Sequence, residues 1–239
     1  MSGLYRDQGV VLRTLKLGET DRIVTFMTQV HGKVRAVAKG VRKPGSRFGA
    51  RLEPTSHVAL QCYQGRELDI VTQVETLDAN RALREHYGSL THGVAMLEAV
   101  DQVALERERN TPLYRMLVRG LQTLATDPSP MVSTAFFWKL LALEGFEPLL
   151  HSCARCGGGG PFVAFDLHEG GVLCEGCGRH GGRRLSPEAY EVVTGILGGR
   201  LNQVLATLPA PPVLAEVERL AVGAIEHHSE RRLRSAALL

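Results

Sequence analysis

The sequence predicts an α+β chain with an N-terminal five-stranded barrel of the OB type, a helical body, and a four-cysteine zinc module between parts of that body. Three observations carry this. Residues 9–75 are short runs of Val, Ile, Thr and Phe broken by turn residues. From Asp78 the apolar residues fall three and four apart. Two Cys-x-x-Cys pairs stand seventeen residues apart in the second half of the chain.

The strands come first. Gly9 to Lys16 and Asp21 to Val30 are expected as the first two, His31-Gly32 as a turn, and Lys33 to Lys39 as the third. Side chains alternate along a strand, so Val34, Ala36 and Ala38 share an inward face. Lys33, Arg35 and Lys39, with Val37 among them, are expected on a solvent face. Residues 40–54 read as a loop punctuated by Gly40, Pro44, Gly45, Gly49 and Pro54. Ser56 to Tyr63 and Glu67 to Glu75 complete the set as a hairpin. Five strands without an intervening helix fit an OB barrel, and strand counting alone leaves an SH3-like barrel open.

Helices follow. One is expected over Asp78 to Glu108, with Leu83, Tyr87, Leu90, Val94, Leu97 and Val100 inward. Thr111-Pro112 reads as the cap and first turn of the next, which places Leu113, Met116, Leu117 and Leu121 on one face. Others open at Pro130, at Ser186-Pro187-Glu188 and at Pro212. The expected division is 1–77 for the barrel, 78–150 with 186–239 for the helical body, and 151–185 for the zinc module.

Cys153, Cys156, Cys174 and Cys177 are the expected ligands of one structural zinc. Two residues between thiolates let a tight turn aim both sulfurs at one ion, and the glycine after each pair suits such a turn. Four thiolates close a tetrahedral shell and leave no position for water or substrate. Cys62, inside a strand, reads as a small buried hydrophobe.

Charge is unevenly spread. Residues 13–51 hold ten Lys/Arg against two acids, +8 for that stretch, so the remainder carries −5 within a net charge of +3. Such asymmetry points to a polyanionic partner. The candidate nucleic-acid contacts are Arg13, Lys16, Lys33, Arg35, Lys39, Arg42, Lys43, Arg47 and Arg51. Aromatic residues are 5% of the chain, and the basic region offers mainly Phe26 and Phe48. Phosphate contact, rather than base stacking, is therefore the expected mode.

There is no phosphate-binding GxxxxGK[ST], no HExxH, no GxSxG and no paired acidic motif, so no enzyme is expected. The start of the chain has no apolar signal-peptide core, and no apolar run approaches the ~20 residues of a membrane span. A cytoplasmic, nucleoid-associated protein is expected.

At this point the residues resemble a family. Gly9-Val10-Val11-Leu12-Arg13, Gly18 to Phe26, Gly32 to Lys43 and Ser46-Arg47-Phe48-Gly49-Ala50 are similar to the opening of RecO, the bacterial DNA repair and recombination mediator family. Leu143-Glu144-Gly145-Phe146-Glu147-Pro148-Leu149, leading into Cys153, resembles that family's approach to its zinc module. The resemblance implies an OB-fold, a helical body and a zinc-ribbon-like insert. It also implies binding of single- and double-stranded DNA, strand annealing, and work with RecR to load RecA onto strands coated by single-strand-binding protein (SSB). The acidic SSB tail is expected on the helical body, with Arg115 and Arg119 beside an apolar floor of Leu113, Met116, Leu117 and Leu121. The alternative is a zinc-ribbon RNA-binding or transcription accessory protein; a further alternative is an enzyme with an unrecognised metal site.

Overall fold

The computed structural model describes residues 3–46 and 48–239. Arg47, one of the candidate contacts, lies outside the described residues. Two compact units divide the chain, Met1–Pro128 with Ala237–Leu239, and Ser129–Ala236.

The first unit is built on β1 (Leu4–Leu17), β2 (Asp21–Thr28), β3 (Gly32–Ala38), β4 (His57–Tyr63) and β5 (Asp69–Asp78). They close in the order β1-β2-β3-β5-β4, with β4 returning to β1. The parallel β3–β5 pairing of Ala36 with Asp69 and Val37 with Ile70 gives the OB connectivity. β1 is long because it serves two partners: residues 4–10 pair with β4 and residues 9–17 with β2. A bulge between Val11 and Arg13 turns the strand between them.

The barrel interior holds Val11, Val24, Phe26, Ala36, Ala38, Val58, Leu60, Cys62 and Val71, the inward set that alternation requires. The long loop after β3 is more than a connector. Its Val41, Phe48 and Leu52 belong to the same core, with a 3-10 turn over Gly49–Leu52.

The expected single helix after the barrel is two, α1 (Arg81–Glu85) and α2 (Tyr87–Val103), separated by His86 in extended conformation. The helix ends five residues before Glu108. Residues 104–108 instead run beside β3, where Glu106 bridges Lys33 in parallel and Arg107 N–H donates to Lys33 O at 2.9 Å. Gly32 lets this segment approach. Its φ is +68°, and a Cβ there would lie 1.9 Å from Glu108 O. α3 (Thr111–Thr126) follows, capped by the Asn110 side chain, which accepts from Leu113 N–H at 3.1 Å. The cap is one residue earlier than expected because Thr111 already has its hydroxyl on Gln29 O, at 2.9 Å.

The second unit centres on α4 (Pro130–Leu143), whose Met131, Phe137, Trp138 and Leu140 are fully buried. Strands β6 (Phe162–Asp166) and β7 (Gly171–Cys174), the short α5 (Glu175–Gly178) and β8 (Arg183–Arg184) form a small module with sheet order β7-β6-β8. Helices α6 (Pro187–Leu197), α7 (Leu201–Ala206) and α8 (Pro211–Ser229) complete the unit. Ser129 and Ser186 cap α4 and α6, each followed by proline in the first turn. Trp138 and Phe165 meet edge to face at 5.6 Å, and Tyr190 donates to Leu150 O at 3.0 Å, joining the module to α4 and α6. Among the described residues no helix is long and apolar enough to cross a membrane.

Candidate metal site and nucleic-acid interface

Cys153, Cys156, Cys174 and Cys177 converge, with all four sulfurs within 4.8 Å of one another. Cys156 Sγ and Cys174 Sγ lie 3.7 Å apart. A tetrahedral ion with metal–sulfur bonds of ~2.3 Å needs sulfurs about 3.8 Å apart, so the donor set fits one ion of that kind.

The two turns reach this geometry differently. In the first, Gly157 has φ +74°, and its N–H donates to Cys153 O at 2.8 Å. In the second, Gly178 closes α5 without a positive φ. Its role is space, since a Cβ there would lie 2.8 Å from Val163 Cγ2. Left-handed backbone thus follows the first pair only. Backbone N–H groups, that of Cys174 foremost, with those of Cys156 and Arg155, bring the Cys153 thiol down to about 6, against the cost of burial. That favours the thiolate a metal requires. The Cys177 thiol is pushed up to about 12, first by its hydrogen bond with Cys156 and then by burial and the other two sulfurs.

Arg155 ties the two turns together. It sits between the first two cysteines, donates to Asp166 Oδ2 at 3.0 Å, and lies 3.4 Å from both Cys177 O and Glu169 Oε1. The module's own core is Cys153, Ala164 and Leu173, too few buried residues to hold a domain without added restraint.

The candidate cations of the barrel separate into two groups. Lys16, Lys39, Arg42, Lys43 and Arg51 are exposed. Among the described residues, Lys16, Lys39, Arg42 and Lys43 have no carboxylate at ion-pair distance. Asp21 organises the loop beneath them, with Oδ1 accepting from Gly40 N–H and Thr20 Oγ1, both at 2.8 Å. The Gly40 N–H, then the Thr20 hydroxyl, then Lys39 and Lys43 hold the Asp21 carboxyl below its ordinary range, against desolvation.

Arg13, Lys33 and Arg35 form the second group, and the solvent face expected of β3 is partly covered there. Arg13 Nε lies 2.6 Å from Asp101 Oδ2. Lys33 Nζ donates to Asp101 O at 2.6 Å and lies 3.6 Å from Asp101 Oδ1; its side chain is 12% exposed. Arg35 Nη1 is 3.8 Å from Glu106 Oε1. Sequence reasoning missed both acids, because nothing local marks Asp101 and Glu106 as partners of residues some 70–90 positions earlier. Phe26 and Phe48 are 0% and 1% exposed, so neither offers a ring to a base.

The apolar floor expected on α3 is not open. Leu113, Leu117 and Leu121 are wholly buried in the first unit's core, and Arg115 and Arg119 stand on the exposed face. The stripe was legible, but it packs the unit's own interior instead of lining a groove.

An OB barrel with a basic loop, followed by a helical body with a four-cysteine cluster, defines the class of protein. Comparison with known proteins narrows it. Residues 1–80 match the family described as "Recombination protein O N terminal", and residues 84–237 match "Recombination protein O C terminal". The chain is similar to the DNA repair protein RecO of Thermobifida fusca, at 42% identity over 99% of this chain and 98% of that protein. It is 40% identical to that of Frankia casuarinae over 99% and 98%, and 42% identical to that of a Nocardioides species over 98% of both chains. The chain belongs to the RecO family of DNA repair proteins.

Proposed function

We propose that this protein is a DNA-binding recombination mediator and strand-annealing protein that works with RecR to load RecA onto SSB-coated single strands. It acts by binding, without turnover of a substrate. The observation that carries this reading is the basic loop: Lys39, Arg42 and Lys43 stand in solvent while Val41, Phe48 and Leu52 of the same loop are fixed in the barrel core. A cationic loop pinned by its apolar residues presents charge to phosphates without ordering itself on binding.

Lys16 and Arg51 extend this surface. Buried phenylalanines leave phosphate contact as the main source of affinity, which suits a protein that must accept both single and double strands. The metal is zinc, one per chain, held by Cys153, Cys156, Cys174 and Cys177 in a structural role. A closed four-thiolate shell supports folding and supplies no Lewis acid to a substrate. The acidic SSB tail is a further partner.

The test is annealing of complementary DNA strands coated with SSB, in the absence of ATP. Wild-type protein is expected to accelerate it, and Lys39→Glu with Arg42→Glu to weaken both single- and double-strand binding at unchanged melting temperature. Each cation withdrawn from a phosphate should lower the salt slope by ~0.7 on single strands and ~0.9 on duplex. Full activity in the double variant, or a strong preference for RNA, would overturn the reading.

A further inference from the structure

The cations on the wall of β1 and β3 are held by acids from a later part of the chain. Asp101, near the C-terminal end of α2, pairs its carboxylate with Arg13 at 2.6 Å, while Lys33 is held chiefly by the Asp101 main-chain O at 2.6 Å, with the carboxylate at 3.6 Å. Glu106, in the segment beside β3, faces Arg35. Three positive charges therefore share two negative ones. Lys33 and Arg35 also lie on the same face of β3 that leads, two and four residues on, to Val37 and exposed Lys39.

The contacts in this region are not equivalent. Arg107 is the anchor of the segment. Its Nη2 lies 2.6 Å from Asp69 Oδ1, and Asp69 is fully buried. Tyr5 Oη and Gly65 N–H also donate to Asp69. Breaking that pair would strand a buried carboxylate. The Glu106–Arg35 contact is the opposite case, at 3.8 Å with the Glu106 side chain 57% exposed. Among the described residues, Arg35 Nε is buried with no hydrogen-bond partner. A side-chain rotation removes Glu106 while Arg107 keeps the segment in place. A phosphate oxygen is the same kind of acceptor for a guanidinium as the carboxylate it would replace.

We infer that Asp101 and Glu106 are intramolecular competitors for nucleic acid: they neutralise Arg13 and Arg35 until strand phosphates displace them, extending the phosphate track from the basic loop along the barrel wall. This rests on the DNA-binding reading above and adds a gate to it. The acids tax weak, nonspecific encounters at the exposed loop, and a strand that spans both regions gains two further cations.

A mutant cycle tests this, using full-length protein and a fluorescent oligothymidylate read by anisotropy. Asp101→Asn with Glu106→Gln should tighten binding about tenfold at low salt, because the competing charges are gone. In an Arg13→Gln/Arg35→Gln background the same acid substitutions should gain less than about threefold. Glu19→Gln with Glu67→Gln removes two exposed acids from other barrel loops and should give the same small gain in both backgrounds. If removing Asp101 and Glu106 gains as much without Arg13 and Arg35 as with them, only the general field has changed and the gate is overturned. An absent gain overturns it equally. Should the Asp101 variant fail to fold, Glu106→Gln alone carries the test, with about threefold tightening expected only when Arg35 is present. Failure of the parent reading looks different: wild type would not bind, or Lys39→Glu/Arg42→Glu would bind as tightly as wild type.

Discussion

Phe48→Ala is the perturbation that best separates loop from barrel. The Phe48 side chain is 1% exposed and closes the barrel core alongside Val41 and Leu52. A buried phenylalanine removes roughly 150–200 Å² from water. At ~25 cal/mol per Å² that is about 4–5 kcal/mol, close to the ~3–5 kcal/mol range for Phe→Ala in cores. With a urea dependence of about 2 kcal/mol per molar, the barrel midpoint should fall by roughly 2 M. Trp138, the sole tryptophan, belongs to the second unit, so its fluorescence should not follow this transition. Hydrogen exchange of peptides from β2 and β3 reports the barrel directly. Below the transition, DNA affinity should also drop, because Lys39, Arg42 and Lys43 lose their fixed base. Phe48→Leu should recover most of both effects. A barrel shift under about 1 kcal/mol would mean that Phe48 does not plug the core and that the loop is displayed by other contacts.

Other expectations follow from the same geometry. Cys174→Ser should abolish tight metal binding and expose the module to proteolysis while β2 and β3 keep their exchange protection; metal analysis finding no zinc in wild-type protein would remove the site. Gly32→Ala should lower the melting temperature, because a positive φ and a 1.9 Å approach to Glu108 O leave no room for a methyl group; an unchanged transition would contradict the placement of residues 104–108. Asp21 is held below its ordinary range, so its contribution is fully present above the unfolded value of about 3.9 and is lost as pH falls through the lower folded value. Asp21→Asn should therefore flatten the acid limb of stability in that window, and an acid limb identical to wild type would refute the role of the Gly40 and Thr20 bonds.

Much of this architecture was written in local signals. Alternation in Lys33 to Lys39 marked β3 and its inward alanines, Ser-Pro pairs marked the starts of α4 and α6, and cysteine spacing marked the four-sulfur cluster. These depend on residues a few positions apart, which periodicity and turn chemistry can read. Long-range pairing escaped. Residues 104–108 continue a helical pattern in sequence, yet β3 offers open backbone positions beyond its two-residue pairing with β5, and they take one. The same is true of Arg13 and Lys33, whose charge was legible but whose shared partner Asp101 was not. For α3 the apolar stripe was correctly seen, but a stripe does not state whether it meets a partner or the chain's own core. α7, at six residues, is too short for its period to register.

β1 has a consequence for how the barrel is made. It leaves the ribosome before its partner strands and can zip onto β2 within a few residues, across the turn from Leu17 to Asp21. Its other edge must wait for His57 to Tyr63, whose pairing with Leu4 to Val10 spans roughly fifty to sixty residues. During that interval the nascent meander has an unpaired β1 edge, and Phe26 has no finished interior around it. Translation of the β3–β4 connection, the cation-rich stretch with its prolines and glycines, occupies this window. Positive charge on that stretch is expected to disfavour edge-to-edge joining of two incomplete barrels before β4 arrives.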